Sequence, residues 1–369
     1  MKTSQDLYDE RLTRIRKTIA LEKPDRVPVI PVGNAFCAVH LGVKLSDFAR
    51  DVKLSSETML QSFTSLGEVD GIQQPLFNPN LLSFQWLSHV KIPGIDFPEN
   101  VPWQVYETEL MNIQDYDTIV SKGFSYFYFD FLKNRLDNLM ERIEPILAHT
   151  PAAIDRFKQA GIVTLSPIIV TIPYEYFCGG RSMIKFIKDL FTIPDKVEAA
   201  MQASMPDLIG STKQILAQVK PIAVWIGGWR SASEFLSPKM WNRFVWPYFK
   251  ALINVVIDAD VIPVLHFDSS WNRDIATFLE LPKAKCIFST DHQTDIFKLK
   301  EILGNHMAIM GDVPAAMFAL GSPEEVYDYS MNLINKIGPS GFILSSGCDV
   351  PYNAKPENVK AMISAATGK

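Results

Sequence analysis

The sequence predicts a (β/α)8 barrel, and three observations carry that expectation. Eight short apolar runs recur along the chain, segments of helical periodicity separate most of them, and polar or ionisable residues follow the runs at their C-terminal ends. Strands alternating with helices imply parallel pairing through right-handed crossovers, and eight such units suggest closure over an open sheet.

Taken in order, the chain begins with a charged amphipathic helix, MKTSQDLYDERLTRIRKTIA, followed by the first run, RVPVIPVG (26–33). The second run is DGIQQPLF (70–77). Residues 78–160 do not fit a simple unit. They contain FQWLSHVKIPGIDFPENVPWQVYE, rich in aromatic residues, Pro and alternating apolar positions, which reads as an inserted β-hairpin or meander; helices are expected after it. An insertion there would lie over the barrel mouth, within a single barrel domain spanning 1–369. The later runs are GIVTLSPIIVTIP (161–173), PIAVWIGGW (221–229), VIPVLHFD (261–268), AKCIFSTD (284–291), HMAIMGDV (306–313) and GFILSSGC (341–348). Two of the intervening helices open on Ser-Pro, at Ser237-Pro238 and Ser322-Pro323, an N-cap followed by Pro at the first helical position.

Composition narrows the functional classes. With 369 residues, 47% of them hydrophobic, the chain buries a large core, which excludes a disordered protein. The net charge of −5, with both signs interspersed, provides neither a basic stripe for nucleic acid nor a polybasic segment for anionic lipid. The four cysteines are far apart without a CxxC pair, and the N-terminus lacks a signal-peptide core, so a cytoplasmic protein with reduced thiols and no membrane partner is expected.

In a barrel the active site is assembled at the C-terminal strand ends, so those tips hold the candidate residues. They are Asn34, Gln73 and Gln74, Glu175, Trp229 with Arg230, His266 with Asp268, Asp291 with His292, Asp312, and Cys348 with Asp349. Asp291 or Asp312 alone reads first as a cap or loop brace. The set His266, Asp268 and Cys348 differs, because N, O and S donors delivered to one mouth suit a zinc ion with an open fourth position. The i, i+2 spacing of His266 and Asp268 places both on one strand face.

At these same residues the sequence resembles the uroporphyrinogen decarboxylase superfamily. LHFDSS (265–270) corresponds to its LHxCG segment, and GGWRSASEFLSPKMWNRFVWPYFKALI (227–253) resembles its strand, loop and helix. Similar matches are MAIMGDVPAAMFALGSPEEVYD (307–328), GFILSSGCDVPYNAKPENVKAM (341–362) and VTIPYEYFCGGRSMIKFIKDLFTIPDKV (170–197). The resemblance runs from Glu10 to the end and implies a (β/α)8 barrel. Decarboxylases of the superfamily grip a polycarboxylate with arginines after the first strand, whereas PVIPVGNAFCAVHLG (28–42) has no Arg or Lys.

The resemblance therefore points to the cobamide-dependent methyltransferase branch, most like the methyltransferase components of anaerobic O-demethylases. It implies transfer of a methyl group from a methoxylated aromatic to cob(I)amide on a separate corrinoid protein, with cobalamin as the partner's cofactor. A decarboxylase-like lyase and a methylcobamide:thiol methyltransferase are the alternatives. Coenzyme M methyltransferases of the branch hold zinc on an HxC…C pattern; here Asp268 replaces the middle Cys between His266 and Cys348. Phenolate is a poor leaving group, so the ether oxygen needs a Lewis acid, or a proton from Glu175 or Asp268. Asn34, Phe36, Tyr174, Trp229 and Phe267 are the expected substrate contacts.

Overall fold

The computed structural model describes residues 2–369. Its ten strands are β1 (Gly71–Ile72), β2 (His89–Lys91), β3 (Gln104–Tyr106), β4 (Val163–Thr164), β5 (Ile168–Val170), β6 (Ala223–Gly228), β7 (Ile262–Phe267), β8 (Ile287–Thr290), β9 (Ala308–Val313) and β10 (Phe342–Ser346). β5 to β10 form one parallel sheet in sequence order, and β1 pairs in parallel with β4.

Single main-chain hydrogen bonds join these pieces into a barrel. Ala223 N donates to Leu165 O at 2.9 Å, linking the β4–β5 run to β6. Asp70 N donates to Val29 O at 3.0 Å, while Ile30 N and Leu344 O, and Leu344 N and Pro28 O, are each 2.9 Å apart. The first predicted run thus closes the ring between the second run and β10, with Val29 opposite Leu344. It forms a bridge rather than a ladder because Pro28 and Pro31 have no N–H to give. Pro167 likewise divides the third run into β4 and β5.

The lumen is filled by Ile30, Val163, Ala223, Val264, Ile287, Ala308 and Ile343, and Ile15 and Ile19 of the helix Ser4–Ile19 join the same cluster from below. The helix is fixed by a capping box between Thr3 and Asp6 and by Arg14. Arg14 donates to buried Asp70 at 2.5 Å and to Asp25 at 2.7 Å and 2.5 Å. Asp70 also accepts from Arg26 at 2.7 Å and from Val29 N at 2.8 Å, so one carboxylate ties the plug helix to the first two runs.

Three expectations are refined. Phe84–Trp86 end a helix, Asn80–Trp86, rather than starting the hairpin, whose strands β2 and β3 are three residues each. Met140–Gln159 is the helix that returns the chain to β4, with Ile162 N donating to Phe157 O, so not all of 78–160 is added to the barrel. The segment after Ser237 forms two helices, Pro238–Phe244 and Trp246–Asp258, because Pro247 cannot donate to the preceding turn. Ser237 and Ser322 cap as expected, accepting from Met240 N and Glu325 N. Among the described residues, no helix is long and apolar enough to cross a membrane.

Asp70→Ala would leave Arg14 and Arg26 without their shared countercharge at the seam. A loss of about 3–5 kcal/mol is expected in denaturant unfolding; an unchanged midpoint would show that closure does not depend on this carboxylate.

Candidate functional site

Strand parity decides which side chains reach the mouth. Along β7, Val264 lies in the lumen, so His266 two residues later faces inward and Phe267 faces the helices. His266 is 2% exposed, with its ring 4.3 Å from that of Trp225 on β6. Its Nδ1 lies 3.1 Å from Ser289 Oγ on β8, which leaves Nε2 directed toward Asp268, with Oδ1 at 3.2 Å. Cys348, just past β10, completes the group: one donor atom from each of His266, Asp268 and Cys348 lies within 4.8 Å of the others.

Asp268 Oδ1 is buried and accepts no hydrogen bond, since the contact to His266 is poorly aligned for one. A buried carboxylate oxygen without a donor is unfavourable, and a cation satisfies it. N, O and S donors suit zinc, and Ser289 supplies the outer partner that orients a ligating imidazole. Burial, with Asp268 and Asp349 adding negative charge, pushes the Cys348 thiol well above its usual range.

The other candidates have different placements. Asn34 is committed to Asp349: its N donates to Oδ1 at 2.8 Å and its Nδ2 to Oδ2 at 3.3 Å, which braces the turn carrying Cys348. Burial raises the Asp349 carboxyl to about 6 against these donors. Glu175 is fully buried and accepts from Trp229 N, Arg230 N and Ser231 N at 3.0 Å each, and from Ser231 Oγ at 2.6 Å. Burial raises its carboxyl while those donors oppose the shift. In this position its carboxylate oxygens face the backbone of the turn after β6 and are engaged by it.

Three expected substrate contacts are packed among other aromatic side chains. Phe267 stacks on Trp271 at 4.2 Å and meets Phe249 and Phe278, because its parity points it outward. Tyr174 lies edge-on to Phe186 between two helices, and Phe36 is 1% exposed and stacked on His40. Trp229 lies beside His266, held by a close approach to the strand. A Cβ at Gly227 would lie 2.2 Å from Trp229 Cζ2, so the indole folds back over Gly227, the register partner of His266. A glycine inside a strand, two residues before a Trp, is the signal that could have revealed this close approach. Trp86, from the segment before the hairpin, meets Trp229 edge-to-face at 5.0 Å and extends the aromatic wall.

The sequence profile described as Uroporphyrinogen decarboxylase (URO-D) matches residues 164–368, more than half of the chain. The chain belongs to the uroporphyrinogen decarboxylase family. A uroporphyrinogen decarboxylase of Geobacter metallireducens is 24% identical over 356 residues, covering 92% of this chain and 93% of its own. One from Citrifermentans bemidjiense is 30% identical over 190 residues, about half of each chain. A methyltransferase from Methanosarcina mazei superposes with a TM-score of 0.68 at 16% identity, covering 96% of this chain and 97% of its own. This likeness shares the uroporphyrinogen decarboxylase barrel fold, and the family membership makes the protein an enzyme of that superfamily.

Gly227→Ala is expected to push the Trp229 indole off the strand. The mutant should show altered tryptophan emission with an unchanged far-ultraviolet circular dichroism spectrum; identical emission would mean that the indole is not held there.

Proposed function

We propose that this enzyme moves a methyl group from a methoxylated aromatic to the cob(I)amide of a separate corrinoid protein. The observation that carries the reading is the inward-facing set His266, Asp268 and Cys348 beside the wall formed by Trp229 and Trp86. An electrophile-activating group next to apolar aromatic surface is what a neutral aryl ether requires. The segment after the first strand supports the same choice, since it has no Arg or Lys and Asn34 there is occupied by Asp349.

His266, Asp268 and Cys348 would hold zinc, which as a Lewis acid would polarise the ether oxygen. The remaining work falls to residues of the chain. Ser289 and Trp225 fix the His266 ring; Asn34, through Asp349, braces the Cys348 turn; Glu175 fixes the turn from which Trp229 projects. Trp229 and Trp86 would seat the aromatic ring and exclude water, so that the methyl carbon faces the open mouth. The methyl carbon would pass to the cob(I)amide of the partner while the C–O bonding pair stays on the ether oxygen, and the phenolate so formed would take a proton from water at the mouth. Asp268 is the carboxyl placed to assist that proton if the metal is absent.

The names of the curated relatives favour a second reading, decarboxylation of uroporphyrinogen. It requires cations for several substrate carboxylates. Incubation with uroporphyrinogen separates the two readings by release of carbon dioxide.

The test of the favoured reading pairs a single-turnover assay with metal analysis and a thermal melt. Wild-type protein is expected to carry stoichiometric zinc and methylate a reduced corrinoid protein from a methoxylated aromatic. His266→Ala should lose the zinc and at least about 10²-fold in rate, with its melt retained. Near-wild-type transfer by a well-folded His266→Ala would sink the proposal.

A further inference from the structure

The loop that follows β7 carries Asp268, and its main chain is held far more completely than that side chain. Asp268 N donates to Gly228 O at 3.1 Å, Ser269 N to Asp291 Oδ2 at 2.8 Å, Ser270 N to Glu234 Oε1 at 2.9 Å and Trp271 N to Thr294 Oγ1 at 3.0 Å. Asp268 O accepts from the Trp271 indole at 2.9 Å, and Ser269 O accepts from the Thr294 hydroxyl at 3.1 Å. Four consecutive N–H groups are thus satisfied from outside the loop, while Asp268 Oδ1 is buried with no donor at all.

Two of the outside partners, Asp291 and Thr294, stand on the turn after β8. Between them lies Ser269, whose φ of +68° is in the left-handed region, a conformation that a residue other than glycine keeps only where its surroundings over-determine it. Asp291 takes its N–H and Thr294 takes its carbonyl, so the residue next to Asp268 is gripped on both sides. Asp291 is itself fixed. Its Oδ1 accepts from Gln293 N at 2.9 Å, which shapes the turn in which His292 stands at φ +82°. Each of its oxygens is therefore engaged by one main-chain N–H, with the added strength of an ionised acceptor. A ligand whose backbone is fixed in advance has less freedom to lose when a cation arrives, and outer partners of this kind orient metal ligands.

We propose that Asp291 is a positioning residue of the zinc site: through Ser269 N it sets the direction in which Asp268 presents its free oxygen to the ion, with Thr294 as its counterpart on the carbonyl. The assignment deepens the methyl-transfer reading and rests on one part of it, zinc at His266, Asp268 and Cys348, and not on the identity of the methyl donor.

The test follows metal binding with no methyl donor present. Zinc affinity is read by competition with a chromogenic chelator for the wild type, Asp291→Asn, Thr294→Val and His266→Ala. Each metal-free protein is melted, and the visible spectrum of each is recorded with cobalt(II) in place of zinc. The ion that counts is the one lost in His266→Ala. Asp291→Asn keeps the size of the side chain but has one oxygen for two N–H groups, so it should lower zinc affinity about tenfold to a hundredfold and shift the cobalt bands. Thr294→Val should act in the same direction, and it decides the matter should Asp291→Asn fail to fold. Affinity and cobalt bands that match the wild type would overturn the assignment whatever the melts show. Affinity lost with the bands unmoved would mark a general loosening and overturn it as well. A wild type without the His266-dependent ion would overturn the zinc site and this assignment together. Weakened zinc binding in the variants, beside a wild type that transfers no methyl group, would overturn the methyl-transfer reading and leave the role of Asp291 standing.

Discussion

The barrel depends on the buried carboxylate of Asp70. Elsewhere around the ring, neighbouring strands share ladders of main-chain hydrogen bonds, but the first run is interrupted by Pro28 and Pro31 and makes only isolated contacts. Asp70 compensates for the missing ladder. It accepts from Val29 N, pairs with Arg26 from the chain leading into the first run, and pairs with Arg14 from the helix beneath the lumen. Three segments therefore meet at one anion, and the position of Asn34 at the far end of the first run follows from it. Since Asn34 braces the turn of Cys348, a charge at the floor of the barrel bears on the spacing of donors at its mouth.

Much of this organisation is legible in the sequence because periodicity reports which residues are buried together. The eight runs, the caps at Ser237 and Ser322, and the convergence of His266, Asp268 and Cys348 all follow from strand parity and topology. Proximity to a strand end is a weaker guide, as Phe267 illustrates: it is one residue from His266 and faces the opposite layer. Tyr174 and Glu175 begin a helix, where neighbours point in directions that a strand-end rule does not anticipate. Glu175 has the chemistry of an acid catalyst but the surroundings of a turn brace, and its four donors are what distinguish the two positions.

Residues of small or neutral appearance carry much of the site. Gly227 contributes by having no side chain, which lets an indole occupy the space above the strand beside His266. Ser289 contributes one hydroxyl that selects which imidazole nitrogen is free. Neither is singled out by composition or motif, since each acts through a neighbour. The site is thus a set of supported side chains, in which Trp229 is positioned from below by Gly227, from behind by the turn that Glu175 holds, and from the side by Trp86.

The helix Ser4–Ile19 has a consequence for traffic. Ile15 and Ile19 are wedged into the lowest layer of the lumen, so this helix closes the floor of the barrel. Under the methyl-transfer reading, a small reactant and a macromolecule seated on the rim would then share the mouth. The small molecule would load before the rim is covered and depart after it is uncovered, which makes the larger partner second in and first out, an order set by a helix at the opposite end of the fold.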